Sequence, residues 1–165
     1  INPSRAKEQV KNVSEVVREG IQDVRGSLNR LRPGALEERT LKDALEKTIR
    51  EYQILSNLQV DLNYEWIDVD MDVMIEDTIF RVIQESMTNA VRHGHASHMD
   101  LHFFEDEEDY MIELQDNGVG FETLTYGYGL KQMMERISIL GGQLQFESRD
   151  GFFTRVSLPK YKEGR

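Results

Sequence analysis

At 165 residues the chain is long enough for one ordinary domain with an appendage and a real core. A formal net charge of −10 argues against nucleic acid as a partner, because a phosphate backbone has to be met by a basic surface. The absence of cysteine excludes disulfides and thiolate metal sites and suits the cytoplasm; no apolar run is long enough to span a bilayer and no signal peptide is visible, so any membrane anchor of a parent protein lies outside this sequence.

From Ser4 to Arg32 there is no proline, and Val10, Val13, Val17, Ile21, Val24, Leu28 and Leu31 recur at spacings of three and four. The spacing predicts a long helix whose seam needs another helix to cover it, either within its own domain or, as its length at a chain end favours, in a homodimer. Leu31-Arg-Pro-Gly34 ends it. Leu41, Ala44, Leu45, Ile49 and Tyr52 predict a helix over about 40–56 with Thr40 as its N-cap. Alternation over Leu58–Tyr64 reads as a strand, and the acidic stretch Asp68–Asp72 leads into the next helix.

That helix, over about 73–92, places Phe80, Ile83, Met87, Ala90 and Val91 on an apolar face. Glu85, Asn89 and Arg92 share another face. An acid and an amide one turn apart can hold Mg2+ through oxygens and water, with Arg92 or His93 facing phosphate beyond them; a solvated polar face is the plainer alternative. The turn after it carries His95 and His98, which have no clear ligand set and read as loop residues.

Strands are predicted near 99–104 and 110–115, with the acid run Glu105–Asp109 as a solvated hairpin tip between them. The second strand delivers Asp116 to the turn Asp116-Asn-Gly-Val-Gly120, where a carboxylate can accept from an exocyclic amine such as that of adenine, although Asp-Asn-Gly is also an ordinary turn. A short segment, Phe121–Tyr126, precedes Gly127-Tyr-Gly129-Leu130 and a helix to about 140 with apolar positions 130, 133, 134 and 137; glycines there let backbone N–H groups approach an anion. Strands over 143–148 and 153–158, joined by Arg149-Asp-Gly151, close the sheet. These elements predict an α+β fold, a mixed sheet covered on one face by helices.

Glu85 to His93, Asp116 to Gly120 and Gly127 to Leu130, in this order, resemble the N box and the two G boxes of the ATP-binding domains of the gyrase, Hsp90, histidine kinase and MutL group. More narrowly, Gln84–His93 and Gly127–Arg136 resemble the DesK/NarX-like class of sensor histidine kinases, and Val24–Pro33 resembles the end of the second helix of their dimerisation and phosphotransfer hairpin. The resemblance implies a two-layer α/β sandwich holding ATP, with Asn89 as magnesium ligand, Glu85 as a polarising base or an outer acid of the metal site, and Asp116 on adenine. Gly118, Gly120, Gly127 and Gly129 would shape the adenine and phosphate turns beside Leu130, with Arg92, His93 and Thr154 as polar nucleotide contacts. Residues 121–126 would be the ATP lid. Phe153 and Gln132 stand where the class usually has glycine.

It further implies a division into a partial hairpin (1–33), a catalytic domain (34–160) and a tail (161–165). Phosphate would pass to a histidine on an upstream helix absent here, since none of His93, His95, His98 and His102 lies on the N-terminal helix, and then to an aspartate of a NarL-type response regulator. Two other readings are an anti-sigma-factor-like serine kinase of the same group, and an interaction module that dimerises through residues 4–32 without ATP turnover.

Overall fold

The computed structural model describes residues 40–67 and 69–160, so the predicted N-terminal helix and the tail 161–165 fall outside the described residues. The described elements run α1 (Leu41–Leu55), β1 (Gln59–Tyr64), α2 (Val73–Arg92), β2 (His98–Glu105), β3 (Asp109–Asp116), α3 (Tyr128–Ile139), β4 (Gln143–Ser148) and β5 (Phe152–Pro159). They form a five-stranded sheet of order β1-β2-β3-β5-β4. Only β1 and β2 are parallel, because α2 is the crossover between them; the hairpin-linked strands pair antiparallel.

Helix starts follow from side-chain caps. Thr40 Oγ1 accepts from the Asp43 N–H at 3.2 Å, as its position predicts, and an Asp72 carboxylate oxygen accepts from the Met74 N–H at 2.8 Å. α2 ends where the His93 and Gly94 N–H groups both turn back to the Asn89 carbonyl. α3 ends at Gly141, whose φ of +73° lets it and Gly142 donate back to the carbonyls of Ser138 and Ile137.

Sheet pleating sorts side chains between two faces. Val60, Leu101, Leu114 and Val156 point to the helices and pack with Leu45, Ile49, Ile79, Ile83, Met87, Met133 and Ile137 into the buried core. Val91, expected on the apolar face of α2, is only half-buried, and Val82 and Ser86 are buried in addition. The opposite sheet face is polar, with the row Asp61, Asp100, Gln115, Phe153 and Glu147 running across all strands in register. Phe153 is nevertheless buried there, under the Arg149 guanidinium at 4.1 Å and beside that of Arg155 at 5.3 Å.

At the end of β1, Trp66 is buried edge-on to Phe103 and Tyr110, and its indole N–H donates to the Phe104 carbonyl at 2.7 Å. Burial pushes the neighbouring Tyr64 hydroxyl up to about 12.

Ile83 is fully buried between α2 and the sheet. Ile83→Ala should cost about 2–5 kcal/mol, seen as a lower urea midpoint in the fluorescence of Trp66, the single tryptophan. A loss below about 1 kcal/mol would contradict this packing.

Candidate nucleotide site

β3 delivers Asp116 to the edge of the core, where its carboxylate is buried. One oxygen, Oδ1, accepts from the Gly118 N–H at 2.8 Å and from the Phe152 N–H at 3.1 Å, so the carboxylate is held by backbone donors from its own turn and from the neighbouring strand. The turn has no room for side chains. A Cβ at Gly118 would overlap the Gly94 carbonyl, which accepts from the Val119 N–H at 2.8 Å. A Cβ at Gly120 would overlap the Ser148 hydroxyl and come within 2.7 Å of the Gly151 carbonyl. Gly151 itself, at φ +141°, lies against the Asp116 carbonyl where a side chain would collide.

Asn117 completes a clasp that sequence reading did not resolve. Its Oδ1 accepts from the N–H groups of Ser97 and His98, both at 2.9 Å, and its Nδ2 donates to the Ser97 hydroxyl at 3.0 Å. Gly94, Asn117, Ser148 and Gly151 are thus part of the site's frame. The signal for them was faint, since each looks like a plain turn residue until the partner loop is known.

On α2, Glu85 and Asn89 are half-buried one turn apart, while Arg92 and His93 are exposed at the helix end. Thr88 sits between the two, and its hydroxyl meets the Tyr52 hydroxyl of α1 at 2.5 Å. Burial raises the Tyr52 pKa, opposed by the Thr88 hydrogen bond, so this contact stays protonated at neutral pH.

The facing element is the start of α3. A Cβ at Gly129 would overlap the Glu85 carboxylate, so the N box and the second G box touch at that glycine. Gly127 supplies no side-chain cap and the first turn holds no acid of its own, so apart from the Glu85 carboxylate at Gly129 the helix start is open to an anion. No atom lies within 4 Å of a Cβ at Gly127, whose φ is −69°, so nothing in the fold itself demands glycine there. Leu130 is half-buried behind it.

Between these pieces runs the irregular segment 121–127. Phe121 packs on Phe152 with ring centres 5.3 Å apart, Phe152 on Phe146 at 5.5 Å and Tyr126 on Phe146 at 6.4 Å. The Phe121 N–H also donates to the Ser148 hydroxyl at 3.0 Å. This aromatic wall was not anticipated, because its members are dispersed over three elements.

Thr154 is buried on the helix-facing side of β5, diagonal to Asp116 across the pair. Phe153 points to the opposite face, and Gln132 donates to the Tyr128 hydroxyl at 2.7 Å on the surface of α3, so neither departure intrudes on the site. One expectation is corrected: His98 is not a loop residue but the first residue of β2, because its backbone pairs with Gln59 of β1. His95 does occupy the turn, at φ +50°.

These residues fit a magnesium nucleotide. A buried acceptor-only group suits an amine, an open helix start suits phosphate, and the Glu85 carboxylate beside that start requires a cation before a polyanion can approach, with the Asn89 amide oxygen as a neutral hard donor one turn on. Among the described residues no helix is long and apolar enough to cross a membrane.

Residues 74–162 match the family of histidine kinase-, DNA gyrase B-, and HSP90-like ATPases. The chain is 36% identical over 147 residues to the signal transduction histidine-protein kinase/phosphatase UhpB of Salmonella typhimurium, covering 86% of this chain and 29% of that protein. It is 32% identical over 153 residues to the sensor histidine kinase YxjM of Bacillus subtilis, covering 91% and 37%. The chain thus spans about a third of the length of these curated relatives. Among solved structures, the histidine kinase AdeS of Acinetobacter baumannii aligns over 94% of this chain and 84% of its own at TM-score 0.65 and 21% identity. The ATP binding domain of PrrB from Mycobacterium tuberculosis aligns over 73% and 93% at 0.58 and 20%, which supports the fold. With more than half its length matched, and with the boxes assembled as described, the chain belongs to the histidine kinase-, DNA gyrase B-, and HSP90-like ATPase family.

Proposed function

We propose that this chain is the ATP-binding catalytic domain of a cytoplasmic sensor histidine kinase of the DesK/NarX-like class, acting on a histidine of a dimerisation hairpin. The observation that carries the reading is the contact of Glu85 with Gly129 at the start of α3, which supports a joint metal and phosphate site there. Names of the relatives, UhpB and YxjM among them, support the kinase assignment. Residues 1–33 would contribute to the hairpin and the homodimer, 34–160 would be the catalytic domain, 161–165 a tail, and a NarL-type regulator would receive the phosphate.

Bound Mg·ATP supplies the γ-phosphoryl group and the charge neutralisation its transfer needs. Asp116 accepts from the base and fixes its orientation. Asn89 gives an oxygen to the cation, and Glu85 orients the reacting end. Gly118, Gly120 and Gly129 let the loops around the nucleotide close on one another, Gly127 leaves the helix start uncovered, and Arg92, His93 and Thr154 add polar contacts. The aromatic wall under residues 121–127 keeps that segment near the site in place of a cationic clamp.

Asp116→Asn should weaken ATP binding by about 1–3 kcal/mol, roughly 5- to 150-fold. The amide oxygen must serve the Gly118 and Phe152 N–H groups, which turns the NH2 against the base amine. Unchanged affinity by calorimetry in the folded variant would remove Asp116 from this role.

Asn89→Ala should abolish the magnesium dependence of triphosphate binding while the ligand-free Tm stays within about 3 °C of wild type. A much lower Tm would make Asn89 a structural residue.

Incubated alone with labelled ATP and Mg2+, the chain should form no acid-labile phosphohistidine. A DesK/NarX-like hairpin added in trans should become labelled, and more slowly than one joined to the chain, since proximity contributes several kcal/mol to such transfer. Stable label on His93, His95, His98 or His102 would put the acceptor within the ATP-binding domain itself and overturn the hairpin part of the reading.

A further inference from the structure

The polar face of the sheet carries a second constellation, on the side away from the helices. Asp61 of β1 and Asp100 of β2 are direct partners in the parallel pair, two carboxylates side by side on one face. Like charges so placed are destabilising unless a cation lies between them. His98, two residues before Asp100 on the same face, directs Nε2 at both: 3.6 Å to Asp61 Oδ2 and 3.3 Å to Asp100 Oδ1. The three donor atoms all lie within 4.8 Å of one another.

We propose that Asp61, His98 and Asp100 form a binding site for a divalent transition metal of the zinc type, with water completing the coordination. Zinc bonds to imidazole nitrogen and carboxylate oxygen are about 2.0–2.2 Å long, so tetrahedral donors stand roughly 3.3–3.6 Å apart, which both histidine–carboxylate separations meet. One imidazole with two carboxylates favours zinc over magnesium, which keeps its waters and selects oxygen.

An imidazolium at His98 would not do the same work, because a single Nε2–H can donate well to only one of the two carboxylates, and the Asp61 distance is beyond a hydrogen bond. The donors stand on paired strands, and the backbone of His98 is further fixed by the Asn117 amide. Side chains of all three are open to solvent, at 38% for His98, 78% for Asp61 and 64% for Asp100, so an ion has free entry. The site is separate from the Glu85–Asn89 pair, which lies on the helical side of the sheet. A bound ion would tie β1 to β2 where the Asn117 clasp begins.

The test is a calorimetric titration of the chelator-treated full chain with zinc chloride in a non-coordinating buffer, without nucleotide. Wild type and H102Q should bind one equivalent, and H98Q, D61N and D100N should each bind at least about tenfold more weakly. Wild-type Tm should rise with added zinc while that of H98Q does not. In the absence of metal D61N should raise Tm slightly, which also shows that the variant folds. Failure of wild type to bind saturably, or unchanged binding in H98Q and D61N, would overturn the proposal and assign any residual zinc to other histidines.

Discussion

Asp116 is a carboxylate taken out of water at the end of a central strand and held there by two backbone N–H groups, one from the turn after it and one from the adjacent strand. Burying such a charge is costly unless it is hydrogen-bonded, so the loops that supply those donors have to come close. The close approach dictates glycine at 118, 120 and 151, each of which meets a backbone or hydroxyl oxygen where a Cβ would stand. Asn117 extends the same frame to the start of β2. The strand order follows the same need, since β5, though last in sequence, lies beside β3 and presents the Phe152 N–H.

The second constraint is the apposition of α2 and α3. α2 is the crossover joining parallel strands, and its polar stripe meets the start of α3 at Gly129, where a Cβ would overlap the Glu85 carboxylate. Tyr52 and Thr88 fix that stripe from the α1 side. A helix start without a cap or an acid of its own is tolerable when solvent or an anion satisfies its N–H groups.

Much of this was legible in the residues. The periods of three to four and of two placed each described element within a residue or two, because α2 and the strands each bury one face and so carry a clean pattern. The boxes were visible because glycine, aspartate and asparagine at those positions have few other uses in combination. What could not be read depends on contacts between segments distant in the chain: the aromatic wall of Phe121, Tyr126, Phe146 and Phe152, the pairing of Gly94 with Gly118, and the orientation of Phe153 away from the site. His98 was misplaced because a strand edge after a turn has no local marker; register with β1 decides it. The seam from Val10 to Leu31 lies outside the described residues and stays an expectation.

Backbone hydrogen exchange of the chain, with and without Mg·ATP, reports on every loop of the site at once. Added protection is expected in the last turns of α2 and across residues 116–130, with the edge strand β1 unchanged. Protection confined to other segments, or no change at saturating nucleotide, would contradict a nucleotide pocket built on Asp116 and the α2–α3 contact.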